Sequence, residues 1–161
     1  MLELAHTRAL TFVEVGSFEG RSAAWLLQNV LVRADDRLIC IDVFDARYDW
    51  IFDANIQEIG GTERIEKRRG LSHLKLRELA PGSADAVYID ASHTIADTIR
   101  DAVLAWDVLR PGGLLIFDDY AWHDKTDPDN RPQYAIDAFL VFFQRELDVK
   151  WKGYQVIVRK R

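Results

Sequence analysis

Hydrophobic residues along the chain fall into short unbroken runs that alternate with stretches of helical spacing. LTFVEVG (Leu10–Gly16), RLICIDVF (Arg37–Phe44), ADAVYID (Ala84–Asp90) and LLIFDD (Leu114–Asp119) are apolar over most of their length, and each carries an acid at or near its end. Runs of this kind, without alternation, predict strands buried on both faces. Between the first two, Ala23, Trp25, Leu26, Leu27, Val30 and Leu31 recur at steps of three or four and predict a helix within Glu19–Val32. A second such pattern, Ile95, Ile99, Val103, Trp106 and Leu109, predicts a helix over Thr94–Leu109, stopped by Pro111-Gly112-Gly113 before the next strand. Asp45–Gly60 reads as a loop leading into a helix with Gly60-Gly61 as its stop, Glu63–Arg69 as a strand, and Ser72–Leu79 as a short helix ended by Pro81-Gly82. Pro132 suits the first turn of a helix running through Ile136, Phe139 and Phe143. The tail VKWKGYQVIVRKR predicts two strands pivoting at Lys152-Gly153.

Strands alternating with helices imply an α/β fold with a mostly parallel sheet, helices on both faces and right-handed crossovers. Ligands in that architecture gather at the carboxyl ends of the strands. Glu14, Asp42, Asp90, Asp118 and Asp119 are therefore expected on one rim. Trp25 and Trp106 sit on helical stripes and are expected in the core, while Trp50 and Trp122 are expected in loops overhanging the rim. His6, His73 and His123 are expected at the surface.

Composition narrows the classes. A chain of 161 residues, 48% of them apolar, supports one core and is read as a single domain over residues 1–161. The net charge of −5 offers no basic footprint, so nucleic acid is not expected as a main partner. No run of about 18 uncharged apolar residues predicts a membrane span. The lone Cys40 lies inside a strand and reads as a small buried hydrophobe in a reducing, cytoplasmic setting. A homo-oligomer is neither required nor excluded.

The motif FVEVGSFEGRS carries the first chemistry. Its G-x-x-x-G spacing is not the G-x-G-x-x-G of a dinucleotide site, and Glu14 has the wrong sign for a pyrophosphate. Asp42, twenty-two residues after Gly20, stands where a carboxylate receives ribose hydroxyls. A nucleoside without pyrophosphate that bears a cationic amino-acid group describes S-adenosylmethionine, whereas a nicotinamide dehydrogenase is disfavoured. The adjacent Asp118 and Asp119 admit two readings: hard oxygen ligands, with Asp90, for a divalent ion, or a solvated strand end. His93 either caps the following helix or acts as a base. The cluster Lys67-Arg68-Arg69 reads as a solvated edge, with attraction of an anionic substrate as the sharper alternative.

Taken in order, E-V-G-S-F-E-G-R-S, I-D-V-F-D, Y-I-D-A-S-H and R-P-G-G-L-L-I-F-D-D-Y resemble the class I S-adenosylmethionine-dependent methyltransferases. More narrowly, the chain is similar to the metal-dependent sugar and small-molecule O-methyltransferases of the macrocin O-methyltransferase type. The resemblance implies a Rossmann-like three-layer sandwich whose seven-stranded sheet ends in an antiparallel hairpin. It places Glu14, Gly16, Ser17 and Gly20 around the methionine moiety, with Phe18, Arg21 and Ser22 in the same cofactor-binding stretch. Asp42 and Val43 fall at the ribose, Ser72 at the adenine, and Asp90 at the cofactor as well as the metal. The implied metal ligands are Asp90, Asp118 and Asp119 for Mg²⁺ or another hard divalent cation, and Asp90 and His93 are the implied catalytic residues. The implied partner is a small-molecule hydroxyl acceptor. A nucleoside-binding module without turnover is the competing reading.

Overall fold

A computed structural model describes residues 7–161. The elements follow in the order β1 (Thr11–Val15), α1 (Arg21–Asn29), β2 (Arg37–Asp42), α2 (Asp49–Glu58), β3 (Ile65–Arg69), α3 (Ser72–Lys75), β4 (Ala84–Ile89), α4 (Ile95–Val108), β5 (Leu109–Phe117), α5 (Pro132–Phe142), β6 (Leu147–Lys152) and β7 (Val156–Lys160). They build one seven-stranded sheet ordered β3-β2-β1-β4-β5-β7-β6. All neighbours through β5 are parallel, and β7 runs antiparallel to both β5 and β6. The expected Rossmann-like sandwich with its closing antiparallel hairpin is therefore observed. Strand order reverses between β1 and β4, which leaves a crevice beyond their carboxyl ends.

Successive residues of each strand feed opposite faces. Phe12 of β1 joins Leu26, Leu27, Phe52 and Ile56 of α1 and α2. Val13 and Val15 join Trp106 of α4 and Ile136 and Phe139 of α5 on the other face. There Phe139 packs edge-on to Trp106 and Phe117 with ring centroids 5.4 Å apart. The two clusters explain why the strands read as continuous apolar runs.

Several expectations are corrected. Trp25 is 56% exposed, because α1 turns Ala23, Leu26 and Leu27 inward and leaves Trp25 on its flank; Trp106, by contrast, is buried. Trp50 lies within α2, not in a loop. Helix α4 passes into β5 at Val108–Leu109 without a loop, and Pro111-Gly112-Gly113 falls inside the strand. The pairing jumps there from Ala84–Leu109 to Ala86–Leu114, so Arg110–Gly113 form a bulge, not a helix stop. His6 lies outside the described residues; His123 is exposed as expected, and His73 is partly buried.

Thr94 caps α4 by accepting a hydrogen bond from the Asp97 backbone N–H at 3.1 Å. Thr94→Ala is expected to cost about 1 kcal/mol of stability, read as a shift of the urea midpoint at constant m-value. A midpoint matching wild type would show that the cap is idle. No described helix is long and apolar enough to cross a membrane.

Candidate active site

A cavity of about 730 Å³ opens at the switch point, with Gly16, Asp42, Ser72 and Asp90 among its lining residues. Four loops that leave strand ends converge there. Gly16 turns with φ +88° and donates its N–H to Ile41 at 2.8 Å, tying β1 to β2. Among the described residues, three other than glycine also take positive φ, and each follows a strand end: Phe18 after β1, Phe44 after β2 and Asp119 after β5. Backbone strain of this kind concentrates at functional rims.

Asp42 organises the first two loops. Its Oδ2 accepts the backbone N–H groups of Ser17 and Phe18 at 2.8 and 2.9 Å, and its Oδ1 that of Phe44 at 2.9 Å. Ser17, Phe18, Arg21, Ser22, Val43 and Ser72 line the same cavity. Two of the expected cofactor residues do not. Glu14 is fully buried under the rim, where burial first and the charge of Asp90 last push its carboxyl up to about 7, against the nearby Ser17, Ser22 and Cys40 groups. The Cys40 thiol, buried as expected, donates to Glu14 Oε2 at 3.6 Å, while Oε1 has no hydrogen-bond partner. Gly20 faces the Phe52 ring, 2.8 Å from where its Cβ would stand.

On the β4–β5 side the carboxylates form a network. Asp90, His93 and Asp119 each present one ligand atom, all within 4.8 Å of one another. His93 Nε2 lies 2.8 Å from Asp119 Oδ2, and its ring stacks on Trp122 with centroids 4.3 Å apart. Asp118 lines the same small pocket as Asp90, His93 and Asp119. It accepts a hydrogen bond from the Tyr88 hydroxyl and another from Gln155 Nε2 at 3.2 Å. The Tyr154 hydroxyl donates to Asp119 Oδ1 at 2.8 Å. Burial, then the charges of Asp118 and Asp119, raise the Asp90 carboxyl to about 6, opposed by His93 and Tyr88. Burial and the bond to Asp118 likewise push the Tyr88 phenol up.

The described residues that could hold a cation together are Asp90, Asp119 and His93, two hard carboxylates and an imidazole, a set compatible with a divalent ion of the Mg²⁺ or Mn²⁺ kind. Asp118, also expected as a ligand, shares the Tyr88 hydroxyl with Asp90. Tyr88, Tyr154 and Gln155 went unread in the sequence: Tyr88 sits in an apolar run, and nothing in a hairpin turn signals contact with residues more than thirty positions upstream. The basic cluster is internally satisfied, since Lys67 pairs with Asp49 and Asp53 at 2.5 and 2.7 Å, Arg68 with Glu66 at 2.6 Å, and Arg69 with Asp49.

Known proteins resemble this chain in sequence and in fold. A predicted O-methyltransferase of Mycobacterium sp. (strain JLS) is 34% identical over 110 residues, covering 68% of this chain and 48% of its own length. The chain spans about half the length of the curated relatives it matches. The O-methyltransferase of Bacillus cereus, solved with SAH, superposes with a TM-score of 0.74 at 22% identity over 94% of this chain and 74% of that one. TomG of Streptomyces achromogenes, an O-methyltransferase of tomaymycin synthesis solved with SAM, gives 0.75 at 22% identity over 94% and 73%. At that identity the likeness speaks for the fold. A family model described as a methyltransferase domain matches residues 13–120, two-thirds of the chain, and the protein belongs to that methyltransferase family.

Proposed function

We propose that this chain is an S-adenosylmethionine-dependent O-methyltransferase domain that acts on a hydroxyl of a small molecule with the help of a divalent cation, in the manner of the macrocin O-methyltransferase type. The observation that carries the reading is the 730 Å³ cavity at the switch point, with Asp42 on one side and the Asp90–His93–Asp119 group on the other. The solved relatives named with SAM and SAH share the fold that builds it.

When bound, S-adenosylmethionine supplies a methyl group already activated on a sulfonium, and a divalent ion supplies positive charge that orients a hydroxyl and lowers its pKa. The chain's own residues do the rest. Gly16 lets the backbone approach the donor closely, and Asp42 fixes the loops around the ribose. Asp90 or His93, whichever the ion leaves free, would take the hydroxyl proton, with Asp119 beside the His93 ring at 2.8 Å. Holding donor and acceptor in line contributes much of the rate.

Methyl transfer to a panel of sugars and phenols, with and without EDTA, tests turnover, and calorimetry with S-adenosylhomocysteine against NADH tests the donor. Binding of S-adenosylhomocysteine without transfer to any acceptor would favour the binding-module reading. Asp119→Ala is expected to weaken Mn²⁺ binding, measured by calorimetry, by at least the ~10–100-fold typical of losing a supporting contact. Activity indifferent to EDTA and to this substitution would remove the metal and leave the donor reading intact.

A further inference from the structure

The cavity at the switch point carries more acid than base. Glu19, Asp42 and Asp90 line it, and Arg21 is the only lysine or arginine among its lining residues. Arg21 is exposed, and its guanidinium has no ion-pair or hydrogen-bond partner among the described residues. It opens α1 directly after Gly20, whose φ of +79° ends the loop from β1. That end of α1 has neither a side-chain cap nor an acid in its first turn, so the positive end of the helix dipole is uncompensated there. Backbone donors in the same loop are largely taken. The N–H groups of Ser17 and Phe18 go to Asp42 Oδ2, that of Gly16 to the Ile41 carbonyl and that of Gly20 to the Ser17 carbonyl at 2.7 Å.

We propose that Arg21 is the residue that binds the α-carboxylate of the methyl donor, and so selects a donor that carries its whole amino-acid end. The inference rests on the S-adenosylmethionine reading above and adds to it the group that recognises one part of that molecule. Charge makes the first argument. The sulfonium and ammonium of the donor suit a cavity lined by carboxylates, but its own carboxylate is repelled by Glu19, Asp42 and Asp90 unless a cation stands beside it. Arg21 is that cation, and the loop backbone, already bonded to Asp42, cannot replace it. Position makes the second. The sheet order runs β2-β1-β4, so a ligand with its ribose at Asp42 and its methyl group near Asp90 crosses the end of β1, and the loop leaving that end leads to Arg21. Geometry makes the third, because the planar fork of a guanidinium matches a carboxylate with two parallel hydrogen bonds. The pair forms at the exposed edge of the cavity, where water screens it, so its effect is moderate.

Calorimetry of the intact chain with two ligands tests this directly, using wild type, Arg21→Ala and Arg21→Lys. One ligand is S-adenosylhomocysteine; the other is 5′-deoxy-5′-(3-aminopropylthio)adenosine, which keeps the nucleoside, the thioether and the ammonium and lacks only the carboxylate. Expected is S-adenosylhomocysteine binding that weakens about tenfold or more in Arg21→Ala, as loss of a charge-assisted hydrogen bond implies, and that Arg21→Lys restores in part, since an ammonium keeps the charge but not the fork. The amine should bind all three proteins alike. Equal weakening of both ligands in Arg21→Ala, no weakening of S-adenosylhomocysteine, or wild type that holds the two ligands equally well overturns the proposal. If neither ligand binds wild type, the donor reading itself falls, an outcome distinct from the other three.

Discussion

Gly16→Ala is expected to abolish S-adenosylhomocysteine binding and to lower stability by about 3 kcal/mol or more, at the severe end for a single substitution. A Cβ at residue 16 would stand 1.9 Å from the Asp90 carbonyl oxygen, 2.5 Å from its carbon and 2.7 Å from the Ala91 Cα. All three are backbone atoms, so no rotamer change relieves the overlap. The ends of β1 and β4 must part, and the Asp90 N–H to Val15 hydrogen bond of 2.8 Å is strained with them. Gly82→Ala is the control: Gly82 shares a positive φ of +66°, but nothing lies within 4 Å of where its Cβ would stand. It should cost only ~1 kcal/mol, the conformational part of the effect. Urea denaturation and calorimetry measure both. Equal, small losses for the two variants would show that the close approach of Gly16 to Asp90 is not what holds the crevice.

Glu14→Gln is expected to flatten the pH dependence of stability. Burial raises the Glu14 carboxyl from about 4.5 to about 7 in the folded chain. Below pH 4.5 both states hold the proton and the group contributes nothing. As pH climbs from 4.5 to 7 the unfolded chain gives up its proton while the folded chain keeps it, so stability falls through that window and levels off above it. The loss is about 3 kcal/mol at 1.36 kcal/mol per pKa unit. Glutamine cannot ionise, so the difference in unfolding free energy, variant minus wild type, should rise by that amount between pH 4.5 and 7.5. Asp101, raised to about 6 mainly by burial, acts in both proteins and cancels in the difference. Curves that stay parallel across the window would mean that Glu14 is ionised in the fold.

Much of this molecule is legible in its residues. Unalternating runs such as ADAVYID, short and bounded by turn residues, read as strands covered twice, and their terminal acids reach one rim because parallel strands end together. Pro132 and Gly60-Gly61 mark helix ends where the structure has them. Other features depend on choices that a one-dimensional pattern does not encode. Trp25 has the right spacing for the α1 stripe but sits at its margin, where a few tens of degrees decide between core and flank. The bulge at Arg110–Gly113 looks like a helix stop because proline and glycine serve both purposes. In the acid pair, sequence places Asp118 and Asp119 at the rim equally. The left-handed backbone at Asp119, φ +56°, then sends one carboxylate to His93 and leaves the other with Tyr88.

The β6–β7 turn adds a temporal dimension. Tyr154 fastens Asp119 and Gln155 fastens Asp118, so the hairpin that leaves the ribosome after the rest of the sheet is also the one that fixes the acids of the fifth strand. A nascent chain halted at residue 150 would already carry every carboxylate of the rim but neither fastening, and would be unready for chemistry until the hairpin turn had emerged.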